Sequence, residues 1–74
     1  VEHINQEKEL LEEALRRVDV ELRTIFLLRE VEELSYQELA EVLKISEGTV
    51  ASRLNRARRT LRSVLTDLGW EDGA

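Results

Sequence analysis

Residues 34–54 read LSYQELAEVLKISEGTVASRL and contain two signals for the start of a helix. Ser35, followed three residues later by Glu38, forms a capping box in which each side chain satisfies a free backbone N–H at a helix start. Ser46 repeats the N-cap signal eleven residues further on. An apolar pair that brackets each cap forms a hydrophobic staple. The two pairs are Leu34 with Leu39 and Ile45 with Val50. Two capped helices joined by the short turn 44–46 make a helix-turn-helix.

Apolar periodicity predicts the remaining helices and their buried faces. The first helix carries its stripe at Ile4, Leu11, Ala14, Leu15 and Val18. The second, from about Val20 to Glu32, has one side formed by Leu22, Ile25, Phe26 and Arg29, broadened by Leu27, Leu28 and Val31. The third is short, ends near Lys44 and buries Leu39, Ala40, Val42 and Leu43. The fourth runs to about Asp67, buries Val50, Leu54, Ala57, Leu61 and Leu65, and stops at Gly69.

Length and composition limit the fold to one small domain. A chain of 74 residues supports a single small core, and the absence of Cys excludes disulfides and thiolate zinc sites. No apolar run approaches the roughly 20 residues that cross a bilayer, so we expect a cytoplasmic protein. We therefore predict an all-α, four-helix helix-turn-helix domain without a wing over residues 1–74, with its core at about 8–68. The first residue is Val1 rather than Met, so we expect a fragment of a longer protein.

Charge is distributed unevenly along the chain. The net charge is −5, yet residues 44–65 carry six basic side chains against the single carboxylate of Glu47. Residues 1–43 carry twelve acidic and five basic side chains. A short basic segment inside an acidic chain indicates a localised surface for a polyanion.

The fourth helix has the chemistry of a DNA-reading helix. Ala40 is the small residue that lets the two motif helices approach closely. With Val50 buried, helical geometry places Gly48, Ser52, Asn55, Arg56 and Arg59 on the opposite face. The first turns carry small or hydrogen-bonding groups, which suit entry into the major groove and contact with base edges. The later arginines and the free N–H groups near Ser46 to Thr49 suit phosphate. We predict weak, salt-sensitive binding of double-stranded DNA by the isolated domain.

Three side chains allow two interpretations each. Arg53 lies at the edge of the buried stripe, so it either pairs with Glu38 or Glu41 or contacts phosphate. Tyr36 either packs against the core or directs its hydroxyl at the backbone. Trp70 suits a packing lid over the helix ends better than a stacking platform.

The motif closely resembles region four of bacterial extracytoplasmic-function sigma factors. The resemblance rests on 34–41, 45–50, Ser52–Leu54 and Arg56–Arg58, with Leu22–Arg23 and Ile25–Arg29 similar to the family's upstream helix. It covers residues 10 to 65, and the run Glu-Gly-Thr-Val-x-Ser-Arg-x-x-Arg-Ala is specific. In that family the domain binds the promoter element about 35 base pairs upstream of the start site. It also docks on the β-subunit flap of RNA polymerase, and anti-sigma factors often sequester it.

The resemblance also implies residue roles. Phosphate contacts would come from Arg29, Tyr36, Gln37, Thr49 and Arg56, and base or groove contacts from Ala51, Ser52 and Asn55. Three positions depart from the family pattern. Ala51 replaces a usual Lys or Arg, which removes one expected DNA contact, and Lys44 replaces a usual Gly, which would cost roughly 1 kcal/mol if φ is positive. The usual Pro before the second helix is missing, with Asp19 and Val20 in that stretch.

Two rival functions fit parts of the pattern. A response-regulator output domain also uses a four-helix helix-turn-helix, but usually carries Thr-Val-Lys-x-His where this chain has Thr-Val-Ala-Ser-Arg. A helical protein-interaction module could use an apolar groove of the first two helices, a role compatible with DNA binding. An enzyme is not expected, because His3 is the only His and the carboxylates show no metal or acid–base spacing. No cofactor and no small-molecule substrate are expected.

Overall fold

The computed structural model describes the backbone of residues 2–70 and the side chains of residues 6–70. Within that range the chain forms four α-helices and no strand. The helices are α1 (Glu2–Arg17), α2 (Val20–Glu30), α3 (Tyr36–Leu43) and α4 (Glu47–Asp67). The predicted all-α helix-turn-helix is confirmed, and α2 ends two residues before the predicted Glu32. The side chains of His3 and Ile4 and the acidic tail residues Glu71 and Asp72 lie outside the described residues.

The capping box at the start of α3 is formed as the sequence predicts. The Glu38 backbone N–H donates to Ser35 Oγ at 3.0 Å, and the Ser35 N–H donates to Glu38 Oε1 at 2.8 Å. The backbone N–H of Ser35, aided by its hydroxyl, holds the pKa of Glu38 below its ordinary value. The backbone N–H groups of Ser35 and Glu38 therefore both have acceptors, and these two hydrogen bonds define where α3 begins.

The turn between α3 and α4 depends on one residue whose backbone adopts the left-handed conformation. Lys44 has φ 58° and ψ 47°, the conformation that glycine adopts most readily. The Lys44 and Ile45 N–H groups both donate to Ala40 O, the latter at 3.1 Å, which closes α3. The condition for strain at Lys44 is met, so this side chain costs roughly 1 kcal/mol relative to glycine.

A glycine ends α4 as predicted. Gly69 has φ 104°, and its N–H donates to Thr66 O at 3.1 Å. The Trp70 N–H donates to Leu65 O at 2.9 Å, which completes a Schellman motif. The positive φ is accessible to glycine without strain, so the chain reverses here and carries Trp70 back towards the helix.

The core consists of two clusters that share α2 and α4. One joins α1, α2 and the C-terminal half of α4, and the other joins α2, α3 and the N-terminal half of α4. The first contains Ala14, Val18, Leu22, Ala57 and Leu61, and the second contains Ile25, Leu39, Val50 and Leu54. α4 packs against each of the other three helices. The helix-turn-helix is therefore supported from behind by α2, and α1 extends that support along α4.

Three residues that periodicity assigned to buried faces are exposed. Leu11, Val31 and Val42 have 37%, 65% and 59% of their surface accessible. The packed side of α3 is formed by Tyr36, Leu39, Ala40 and Leu43, and Val42 lies at the edge of that side, where neither α2 nor α4 covers it. Val31 lies beyond the last residue of α2. Periodicity therefore predicts more buried positions than the neighbouring helices cover.

Candidate nucleic-acid interface

The buried stripe of α4 fixes which of its side chains face solvent. Val50, Leu54 and Ala57 are buried, so the helix can rotate only at the cost of exposing them. Gly48, Ala51, Ser52, Asn55, Arg56 and Arg59 are all exposed. The structure therefore brings these six predicted residues together on one face, which we call the α4 outer face. Their DNA contacts remain predictions.

The N-terminus of α4 combines two hydroxyl groups and free backbone donors. The Thr49 N–H donates to Ser46 Oγ at 3.1 Å, and the two hydroxyl oxygens are 2.9 Å apart. Whichever hydroxyl donates within this pair, the proton of the other is free for an acceptor. The Thr49 N–H is occupied by the cap, so of the four N–H groups expected to be free at this end, those of Ser46, Glu47 and Gly48 remain as donors.

The packing of the chain itself does not require a glycine at Gly48. A Cβ added there would meet only Ser46 Oγ, at 3.9 Å, which is an ordinary contact. Glycine near a helix start is nevertheless costly, by up to about 1 kcal/mol relative to alanine. A bare backbone at this point allows a close approach from outside the molecule.

Ser52 and Asn55 have side chains available for hydrogen bonding. The Ser52 hydroxyl donates to Thr49 O at 3.1 Å, so its lone pairs remain available as acceptors. Asn55 is exposed one turn further along and offers both a donor and an acceptor. This pair lies between the N-terminus of α4 and Arg56.

The arginines of α4 fall into two groups. Arg53 Nη1 lies 3.1 Å from Glu21 Oε1, and Arg58 Nη2 lies 3.3 Å from Glu30 Oε1. Arg56, Arg59 and Arg62 form no ion pair with any carboxylate among the described residues. The predicted partners of Arg53, Glu38 or Glu41, are wrong, because α2 rather than α3 packs beside that flank of α4. The alternative of a phosphate contact by Arg53 remains a prediction.

A second group of predicted contacts forms where α2 meets α3. Arg29 Nη1 donates to Leu34 O at 2.8 Å, and its guanidinium lies 5.4 Å from the centre of the Tyr36 ring. Tyr36 packs against the second core cluster, which confirms the interpretation that it packs against the core. The Tyr36 hydroxyl and then the Glu30 carboxylate raise the pKa of Arg58. Gln37 is exposed at the first turn of α3.

Trp70 packs over the end of the helices, as the sequence suggested. It lines a shallow cleft with Phe26 of α2 and with Leu61 and Leu65 of α4. The residue is half-buried, and the Schellman hydrogen bond holds its backbone. Its position is remote from the N-terminus of α4.

Sequence reasoning missed Glu21 and Glu30 as neighbours of the basic segment. Both are acidic residues of α2 to which the sequence analysis assigned no partner. Their partners are 32 and 28 residues away in the chain, so no local pattern connects them. Only the crossing of α2 over α4 brings the charges together.

Among the described side chains of residues 6–70, no cluster of three His, Asp or Glu could hold a metal ion. No helix of this part of the chain combines the length and apolar character needed to span a membrane.

Comparison with known proteins adds family information to this geometry. The model of the family described as sigma-70, region 4 matches residues 8–61. The ECF RNA polymerase sigma factor SigW of Bacillus subtilis is 36% identical over 58 residues, covering 78% of this chain and 31% of that protein. The RNA polymerase sigma-H factor of Pseudomonas aeruginosa is 39% identical over 56 residues, with 76% and 29% covered. The ECF sigma factor SigE of Mycolicibacterium smegmatis is 40% identical over 55 residues, with 74% and 21% covered. The chain therefore spans about a third of these relatives or less.

Proposed function

The chain belongs to the family of sigma-70 region 4 domains, and we propose that it binds the upstream (−35) promoter element as part of a sigma factor in transcription initiation. The α4 outer face would enter the major groove, with Ser52 and Asn55 addressing base edges. Arg56 and Arg59 would lie against phosphates, together with Arg29, Tyr36, Gln37 and Thr49 from the rim of the motif.

The observation that carries this proposal is the composition of the α4 outer face. Small and hydrogen-bonding groups occupy its first turns, and arginines without partners among the described residues follow. A Gly48 backbone without a side chain and the unbonded N–H groups of Ser46, Glu47 and Gly48 suit a phosphate. The family match favours this function over the response-regulator output domain, whose motif the sequence also lacks.

Three further roles form part of the same proposal. RNA polymerase would bind the domain through the flap of its β subunit, and an anti-sigma factor would sequester it. Both partners would act in the cytoplasm. The relatives named above are themselves named as sigma factors. A domain that binds DNA weakly by itself would gain affinity from polymerase in this arrangement.

A duplex comparison tests the proposal directly. The chain should bind promoter duplexes containing the preferred upstream element more tightly than a scrambled duplex of equal length, measured by fluorescence anisotropy at low and at physiological salt. Selection from a randomised duplex library would supply the preferred sequence. Equal binding of selected and scrambled duplexes at both salt concentrations would contradict promoter recognition.

Arg56→Ala tests the phosphate role. Loss of one phosphate contact should weaken binding to every sequence and reduce the log–log salt slope by about 0.9. Lys8→Ala, on the exposed surface of α1, is the control for loss of one positive charge. A change of sequence preference without a change of slope would exclude the phosphate role of Arg56.

A further inference from the structure

Two carboxylates of α2 lie on opposite flanks of the recognition helix. Relative to the buried Val50, helical geometry places Arg53 on one side of the stripe and Arg58 on the other, at about −60° and +80°. Glu21 pairs with the first arginine at 3.1 Å and Glu30 with the second at 3.3 Å. α2 thus reaches around both edges of α4 with negative charge.

Both pairs lie at the surface. The side chains of Arg53 and Glu21 are 34% and 68% exposed, and those of Arg58 and Glu30 are 44% and 48% exposed. Exposed ion pairs add little to folding. A contribution to folding therefore does not explain why α2 neutralises two of the five arginines of α4.

The position of Arg53 indicates what this neutralisation does. Arg53 and Arg56 are three residues apart, so they neighbour each other on one ridge of α4. A guanidinium that leaves Glu21 could join Arg56 on the phosphates proposed for it. In doing so it would leave an uncompensated carboxylate close to a phosphate, and the like charges would repel.

We propose that Glu21 and Glu30 act as internal counter-charges that compete with DNA phosphate for Arg53 and Arg58, and so limit sequence-independent DNA binding. This inference rests on the proposed function. Non-specific affinity comes almost entirely from neutralised phosphates, so each withheld arginine lowers it. Genomes offer a vast excess of non-specific sites, and a weaker electrostatic contribution leaves more of the domain available for its promoter.

The test measures binding of the 74-residue chain to a duplex unrelated to the selected element. Glu21→Gln and Glu30→Gln should each tighten that binding and steepen its salt slope by up to about 0.9. Such a slope corresponds to a gain of up to about eightfold for each tenfold decrease in salt. Asp19→Asn and Glu32→Gln are matched controls, because each removes a nearby exposed carboxylate that has no ion pair among the described residues. They should leave the slope unchanged.

A double-variant cycle separates release of the arginine from simple loss of negative charge. In an Arg53→Gln background, Glu21→Gln should gain no more affinity than Asp19→Asn does. Retention on immobilised heparin repeats the comparison with a second polyanion. If Glu21→Gln and Glu30→Gln have the same salt slope and the same heparin retention as their controls, the inference is overturned. It is also overturned if none of the variants binds.

The two proposals fail in different measurements. Promoter recognition fails if selected and scrambled duplexes bind equally, whatever the glutamate variants do. The counter-charge role fails if the variants leave the non-specific slope unchanged, even when the selected duplex is preferred. Circular dichroism of each variant confirms that the helices are retained.

Discussion

At the scale of single residues, hydrogen-bonding capacity separates the proposed base contacts from the phosphate contacts. Ser52 donates its proton to Thr49 O within the helix, and with that bond in place it offers a base its lone pairs as acceptors. Asn55 keeps both functions of its amide, which allows a bidentate contact with one base. Asn55 is therefore the residue on which sequence preference should depend most, because Ala51 offers no hydrogen bond.

Asn55→Ala should relax sequence preference without uniform weakening. Loss of a bidentate contact should remove about 1–3 kcal/mol of discrimination at the base pair concerned. Binding to duplexes altered at single positions measures this effect, with Arg56→Ala as the comparison variant. The same loss of affinity on every duplex would contradict a base-reading role for Asn55.

Lys44→Gly should stabilise the domain. Lys44 occupies the left-handed region, and glycine there should raise the free energy of unfolding by roughly 1 kcal/mol. A gain of that size should raise Tm by about 4–8 °C in a domain of this length. Thermal unfolding followed by circular dichroism measures the change.

A matched glycine variant controls for this result. Glu41→Gly places glycine inside α3, where it should lower stability by about 1 kcal/mol instead. Two variants of opposite sign within four residues would assign the effect to the backbone of Lys44. A lower Tm for Lys44→Gly would show that its side chain contributes more than the strain costs.

At the scale of the elements, the ends of α3 and α4 are fixed by local hydrogen bonds. Ser35 and Ser46 satisfy backbone N–H groups at the two starts, while Lys44 and Gly69 supply the positive φ that ends each helix. α3 has only eight residues, too few to be stable by itself. Its caps matter because they set where it begins relative to α4.

Ser35→Ala should destabilise the domain by about 1 kcal/mol, because the Glu38 N–H loses its acceptor at the start of α3. Urea unfolding measures this, and the m-value should stay constant since the core is unchanged. Ser63→Ala, at an exposed position inside α4, is the control and should be neutral or slightly stabilising. Equal stability of Ser35→Ala and the unmodified chain would show that water replaces the cap.

At the scale of the whole molecule, α4 is both the recognition helix and the centre of the core. It contacts α1, α2 and α3, and both hydrophobic clusters contain residues from it. The orientation of the α4 outer face therefore depends on packing along the entire helix. Damage to the core should impair DNA binding even though the DNA-facing residues are unchanged.

Leu54→Ala should be the most destabilising of these variants. Leu54 is fully buried in the second cluster, and its truncation should cost about 2–5 kcal/mol. A domain of this size has little stability beyond that, so a large fraction should unfold and DNA binding should fall in proportion. Leu11→Ala removes the same atoms from a residue that is 37% exposed and should cost far less. Similar losses in the two variants would contradict the assignment of the core.

Local sequence signals were sufficient to predict the helix-turn-helix and the face of α4 that is exposed. The N-caps, the capping box, the staples and helical periodicity act over three to seven residues, so Ser35, Ser46, Val50 and Leu54 could be interpreted without a structure. The family resemblance added residue roles, and the family is now confirmed, while the individual DNA contacts stay predictions.

Packing between the helices, which no local signal encodes, determines which apolar positions are covered and which arginines are paired. Val42 and Leu11 fit the pattern of buried residues but are exposed, because burial requires a neighbouring helix and not just a suitable period. Arg53 pairs with Glu21 because α2 crosses that flank of α4, a relation between residues 32 positions apart. Local rules extend over one or two helical turns, whereas ion pairs between helices depend on how the whole set of helices packs.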